Sequence, residues 1–261
     1  MRSLGRGTCS EYWDWRAEKH DQSQWSGSGE VQQAVVAAVL SAVPPGASVV
    51  DAGCGTGRLS RALAEAGLLV TGIDSSPGMV RKAIATNSVA GRTTYLRADA
   101  RDIPMPSESV DAVLQSLVLH NIVPDWRSAI WESWRVLRVG GSLVIVESFP
   151  PTAPACRRFF MTCTGLVHQR SHFTRAELLG ALEETGLSVT SSLQVAIRDF
   201  SIDRWAKCVA RDARTRVRLL ELYQGVPPEC REEFGLRQTA ADVTITLRHE
   251  LFSCLKIPAT G

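Results

Sequence analysis

The chain has 261 residues, 44% of them hydrophobic and 21% charged, with a formal net charge of +2. A chain of this length and balance buries a sizeable core unaided, and its charge gives no global attraction for nucleic acid or an anionic membrane. The seven cysteines, an odd number without a CxxC pair, exclude the pattern of a secreted disulfide framework.

The first ten residues, MRSLGRGTCS, lack the apolar run of a signal peptide, and no run of about 18 apolar residues occurs later. A cytoplasmic protein is expected. Residues 9–20 (CSEYWDWRAEKH) read as a short amphipathic helix, and 23–29 as a Gly/Ser-rich hinge. Val31, Val35, Val39 and Val43 recur every four residues, so 30–43 is a helix, stopped by Pro44, Pro45 and Gly46. Alternation then begins, with strands at 48–52, 68–73, 93–97, 110–115 and 142–146. Helices at 58–66, 77–86 and 125–137 separate them, and Gly140-Gly141 is read as the stop of the last. Strands spaced by helices imply right-handed βαβ crossovers and a parallel sheet.

After Phe149 the pattern loosens. Residues 150–172 read as an irregular insert opened by Pro150, Pro151 and Pro154. Thr174, with Glu177 three residues on, caps a helix that Gly186 ends. Residues 187–197 are strand-like, 203–223 read as one long helix broken by Pro227-Pro228, and 242–251 alternate as a final strand.

The central motif is VVDAGCGTG, residues 49–57. Two β-branched residues end a buried strand, and Gly53, Gly55 and Gly57 let the backbone turn sharply and approach a ligand. The helix that follows presents free N–H groups and the positive end of its dipole, which suits a carboxylate such as the amino-acid end of S-adenosylmethionine. A nicotinamide fingerprint needs GxGxxG, and Arg58 occupies its last position. Asp51 precedes the loop, and Asp74 ends the second strand 23 residues later, where a carboxylate can accept both hydroxyls of a ribose. Ser75 follows it, Met79 is placed to lie on an adenine face, and Asp99 with Ala100 follows the third strand, where a carboxylate can take the adenine amino group.

These residues resemble the class I S-adenosylmethionine-dependent methyltransferases of the ubiquinone and menaquinone biosynthesis type. The matching pieces are VVDAGCGTG, VTGIDSSPGMV, YLRADARDIPMPSESVDAVLQSLVLHNI, WRVLRVGGSLVIVE and HFTRAELLGALEETGL, together about residues 48–190. The resemblance implies an α/β fold: a doubly wound, Rossmann-like, seven-stranded sheet with an antiparallel last strand and a helical cap. It implies one methyltransferase domain over 1–261, with cap elements within 1–30, 150–172 and 202–240. It implies Asp51 and Gly53 near the methionine moiety, Asp74 at the ribose, Asp99 and Ala100 at the adenine, and Gln115 touching the cofactor. Tyr12, Trp13 and Trp15 resemble a lid helix that reaches an aromatic over the sulfonium, with Tyr12 taken as the contact. Relatives often have Tyr-Asp where this chain has His20-Asp21, which leaves His20 as a polar lid contact or a catalytic group.

Methyl transfer from a sulfonium needs chiefly proximity, and a base only where the nucleophile must lose a tightly held proton. His120, beyond the carboxyl end of strand four, is the leading base, with a structural role in bonding the next loop as the equal alternative. Glu147, ending strand five, is the second. Cys156, Cys163, His168 and His172 are zinc-compatible ligand types within 17 residues but lack a finger spacing, so no metal is assigned. Arg204, Lys207, Arg211, Arg214 and Arg218 share one face of the expected long helix, read as a solvated surface rather than a nucleic-acid site. The expected reaction is methylation of an O, C or N atom of a small organic molecule, in secondary metabolism. The alternatives are an RNA or protein methyltransferase using the 204–218 face, and a non-methylating cyclase or partner subunit that keeps the cofactor pocket.

Overall fold

The computed structural model describes residues 9–22, 29–239 and 242–258. Residues 23–28 of the expected 23–29 hinge lie outside them, and Gly29 opens the next helix. Two short N-terminal pieces come first, α1 (Cys9–Arg16) and a 3-10 turn (His20–Gln22). Helix α2 (Gly29–Ala42) follows, burying Val31, Val35 and Val39 as their four-residue spacing demands. The alternating part then runs β1 (Ser48–Ala52), α3 (Arg58–Glu65), β2 (Leu69–Asp74), α4 (Pro77–Ala85), β3 (Thr93–Arg97), β4 (Val110–Ser116), a 3-10 turn (Leu119–Asn121), α5 (Arg127–Val136) and β5 (Leu137–Glu147). The remainder is α6 (Pro154–Gly165), α7 (Arg175–Glu184), β6 (Leu187–Ser201), α8 (Ile202–Val209), α9 (Ala213–Gln224), α10 (Pro228–Glu233), β7 (Arg237–Gln238) and β8 (Val243–Lys256).

The sheet order is β3-β2-β1-β4-β5-β8-β6, with two-residue β7 pairing to β8 as an eighth strand. The first five strands pair in parallel, and β8 lies antiparallel between β5 and β6. The order reverses at β1/β4, so the carboxyl ends of these two strands open a crevice. Period-two alternation sorts the core onto two faces. Val49, Val70, Ala112, Leu114 and Val144 pack beneath α2 and α3, while Val50, Ile73, Val113, Leu143 and Ile145 pack beneath α5 and α7. Each such Val, Leu or Ile side chain, buried completely, contributes about 1.5–3 kcal/mol.

Several expectations change. Residues 150–172 contain helix α6 rather than an irregular insert, because Pro154 at its first turn starts a helix instead of breaking one. The expected long helix divides into α8 and α9: Asp212 adopts an extended conformation and caps α9 by accepting from Thr215 N at 2.7 Å. Gly140 and Gly141 do not end α5, which stops at Val136; they sit inside β5, Gly140 with φ +78° at a register shift against β4. Strand β6 extends to Ser201, four residues past its expected end at 197. The Thr174 capping box is present as expected.

Candidate active site

Two cavities flank the carboxyl ends of the central strands. The first, about 220 Å³, is walled by the 49–57 loop, the ends of β2, β3 and β4, and the N-terminal pieces. Asp51, Gly53, Gly55, Asp74, Ser75, Met79, Asp99, Ala100 and His20 all line it. Gly53 N and Cys54 N donate to Ile73 O at 2.8 and 2.9 Å, which folds the loop back over β2. Gly53 has φ +82°, and a Cβ there would stand 2.4 Å from Val118 Cγ2, so the loop passes the β4 turn where only glycine fits. Gly57, φ +78°, leads into α3, whose first turn has no side-chain cap and keeps its N–H groups for a ligand.

The carboxylates are deeply set. Asp74 accepts from Gly55 N at 3.0 Å with one oxygen and from Ser76 N at 2.9 Å with the other. Lone pairs remain on both oxygens. Burial pushes the Asp74 carboxyl up to about 6. Burial does the same to Asp51, also about 6, against the Ser60 hydroxyl that donates to it at 2.6 Å. Asp99 is held below its usual range by Arg101, which binds both its oxygens, at 3.0 and 2.7 Å.

The N-terminal pieces are fastened over this cavity. Asp14 Oδ1 accepts from Ser76 Oγ at 2.6 Å and Gly78 N at 2.7 Å, joining α1 to the start of α4. Asp21 Oδ1 accepts from Thr56 Oγ1 at 2.6 Å and lies 3.3 Å from His20 Nδ1. Trp13 and Arg16 line the cavity from above. Tyr12 does not: it is buried on the other side of α1, stacked on His168 with ring centroids 4.4 Å apart. Adjacent residues on a helix point about 100° apart, so only one of Tyr12 and Trp13 can face the crevice.

Gln115 is also displaced from its expected role. It is fully buried, and its Nε2 donates to Ala129 O and Ser133 Oγ, both at 2.9 Å, tying β4 to α5. Gly57 shapes the loop but does not line the cavity; its carbonyl accepts from Tyr95 Oη at 3.4 Å.

The second cavity, about 360 Å³, lies between the sheet and the 150–173 and 200–234 segments. Phe149, Phe160, Phe173, Phe200, Trp205, Tyr223 and Phe234 line it, with His120, Ser148, Arg170 and His172 among the polar groups. His120 Nδ1 lies 2.6 Å from Oε2 of the wholly buried Glu147, whose Oε1 accepts from Leu119 N at 2.9 Å. The carboxylate fixes the proton on Nδ1 and leaves Nε2 as an acceptor. Nε2 is buried without a hydrogen-bond partner among the described residues.

The segment after β4 is the shared wall. Leu117, Val118, Asn121, Ile122 and Val123 line the first cavity and His120 the second. Leu117 takes φ +56°, a left-handed conformation costly for leucine, and Asn121 Nδ2 donates back to its carbonyl at 3.0 Å. His168 Nε2 meets Asn121 Oδ1 at 2.8 Å, and Ser171 N donates to His120 O at 2.8 Å, so the 168–171 loop clasps this wall.

The four zinc-compatible side chains of 156–172 do not share one site. Cys156 is bonded to Cys230, which removes it as a ligand, and Cys163 is buried with its thiol pushed up to about 12. Among the described residues no three His, Cys, Asp or Glu side chains converge on a metal position. The expected cationic face is likewise divided. Lys207 pairs with Asp203 at 2.5 Å, Arg218 with Glu221 at 3.4 Å, and Arg211 lies over the Tyr12 ring at 5.4 Å.

Residues 50–145 match the family model described as a methyltransferase domain. Demethylmenaquinone methyltransferase of Clavibacter sepedonicus is 39% identical over 125 residues, 46% of this chain and 50% of that protein. Malonyl-[acyl-carrier protein] O-methyltransferase of Serratia marcescens is 38% identical over 100 residues, 38% of each chain. The chain thus spans half or less of the length of these curated relatives. The YcgJ protein of Bacillus subtilis superposes with a TM-score of 0.75 over 87% of this chain and 99% of that one, at 19% identity, and so shares the fold. No described helix is long and apolar enough to cross a membrane.

Proposed function

We propose that this chain, whose residues 50–145 match the methyltransferase-domain family, is a class I, S-adenosylmethionine-dependent enzyme that methylates a small organic acceptor held in the aromatic cavity. The observation that carries the reading is the shared wall: one short segment lines the glycine-loop cavity with Asn121 and the aromatic cavity with His120. The first cavity fits the cofactor. Its uncapped α3 N-terminus suits the amino-acid carboxylate, Asp74 the ribose diol, and Met79 and Ala100 the adenine. Bound there, S-adenosylmethionine supplies an activated methyl group.

The protein's own part is to orient the acceptor and move its proton. His120 Nε2 accepts the proton of a hydroxyl or amine, while Glu147, 2.6 Å from Nδ1, holds the ring and balances the imidazolium charge. The seven aromatic side chains exclude water and favour a planar or apolar acceptor. His20, beside the glycine loop, acts as a lid contact, because burial holds its pKa below the usual value despite Asp21. The whole chain serves as one catalytic unit, with α1, α6 and α8–α10 as its cap.

Incubation with methyl-labelled S-adenosylmethionine and separate pools of phenolic, quinol, amine, RNA and protein acceptors tests this. Label should enter an organic-extractable small molecule. Label confined to RNA or protein would replace this reading with the macromolecular one.

A further inference from the structure

Arg16 is a buried cation without a matching anion. It is 2% exposed, yet it lines the glycine-loop cavity. Its Nε has no hydrogen-bond partner among the described residues, and it forms no ion pair with any described carboxylate. Its guanidinium carbon instead lies 5.1 Å from the Trp13 ring centroid. The segments at 1–8 and 23–28 contain no Asp or Glu. Nearby acids are engaged elsewhere: Asp14 by Ser76 and Gly78, Asp21 by Thr56 and His20.

The other two arginines of the same cavity are already held. Asp99 binds Arg101 through both oxygens, and Arg58 donates to the Gln32 side chain. A buried guanidinium is costly unless an anion meets it. Its place is also informative. Trp13 and His20 have ring centroids 6.2 Å apart, and His20 Cε1 lies 3.8 Å from where a Cβ on Gly55 would stand. Arg16 therefore hangs from the lid beside the glycine loop, near the end where α3 presents its free N–H groups.

We propose that Arg16 binds the amino-acid carboxylate of the cofactor, so that the ligand itself supplies the missing counter-ion. This rests on the cofactor reading above. The guanidinium offers two parallel N–H donors to one carboxylate.

Calorimetry on the full chain with two probes separates the outcomes. S-adenosylhomocysteine carries the carboxylate; 5′-methylthioadenosine keeps the adenosine and sulfur but lacks it. Arg16→Gln should weaken S-adenosylhomocysteine by about ten- to a hundredfold and leave methylthioadenosine within about twofold. Equal weakening of both probes, or of neither, would overturn the assignment. Should Arg16→Gln fail to fold, Arg16→Lys replaces it: the charge stays but the paired donors go, so a severalfold loss confined to S-adenosylhomocysteine is expected, and no selective loss refutes the idea. A wild-type chain that binds neither probe would sink the cofactor reading itself, and this assignment with it.

Discussion

A carboxyl group as deeply set as Asp74 or Asp51 is poised between two demands. Burial raises each to about 6, so both carboxyls hold their protons up to about pH 6 rather than releasing them near 4. An ionised Asp74, however, is the better acceptor for two ribose hydroxyls. The signs are therefore opposite. For folding, both pKa values exceed the unfolded reference of about 4. Their stabilising contribution is complete below that value and is lost as pH rises through about 6. For binding, the deprotonated form is needed, so S-adenosylhomocysteine affinity should fall as pH drops below about 6, approaching tenfold per unit for each carboxylate involved. Thermal melting of the free protein and calorimetry with S-adenosylhomocysteine across pH 4–8 check both slopes. Parallel slopes would contradict the ribose role. At His120 a substitution acts on rate. His120→Asn keeps a polar group of similar reach but no base, and should lower turnover by about 10²–10⁴ with cofactor affinity unchanged. A folded His120→Asn enzyme with near-normal turnover would leave proximity as the whole mechanism.

At the level of elements, local chemistry was legible and side selection was not. The glycine loop, Asp51, Asp74 and the Thr174 box depend on short-range spacing, and the structure places them where that spacing put them. Gln115 and Tyr12 show the limit. A side chain at the end of β4 can point to either face of the sheet, and only α5, bringing Ala129 O and Ser133 Oγ to meet it, decides for Gln115. For α1, eight residues carry three aromatics, so no clean apolar stripe distinguishes Tyr12 from Trp13. What decides is Asp14, which docks α1 on α4 and thereby turns Trp13 and Arg16 toward the cavity. The break between α8 and α9 was hidden because Arg211-Asp212 carries no Gly or Pro; the Asp212 cap supplies the stop through a side chain. Asp14→Ala makes this testable. Losing a cap to Ser76 and Gly78 should cost about 1 kcal/mol of stability. It should also speed S-adenosylhomocysteine release, read by stopped-flow displacement. An unchanged off-rate would mean that α1 does not cover the ligand.

Across the whole molecule, the two cavities are built from different parts of the chain, and the Cys156–Cys230 bond joins two helices that line only the aromatic one. It joins α6 to α10 across 74 residues. Phe159 and Phe234 pack beside it with ring centroids 5.6 Å apart, and Phe160 and Phe234 line the aromatic cavity. Spacing did not reveal this pair, since the partners meet only after β6, α8 and α9 return the chain to α6. A cross-link of that span restricts the unfolded chain by about 4 kcal/mol in the loop-entropy account. Replacing both residues, Cys156→Ala with Cys230→Ala, should lower the thermal midpoint by roughly 10 °C for a domain of this size. The same change should loosen α6 against α10 and raise KM for the acceptor severalfold. The glycine loop, α1, α3 and α4 share none of these contacts, so S-adenosylhomocysteine affinity should stay within about twofold at temperatures where the variant is folded. A loss of cofactor affinity in step with acceptor KM would show that the cavities form one cooperative unit, and that the wall at 117–123 transmits disorder from cap to cofactor site.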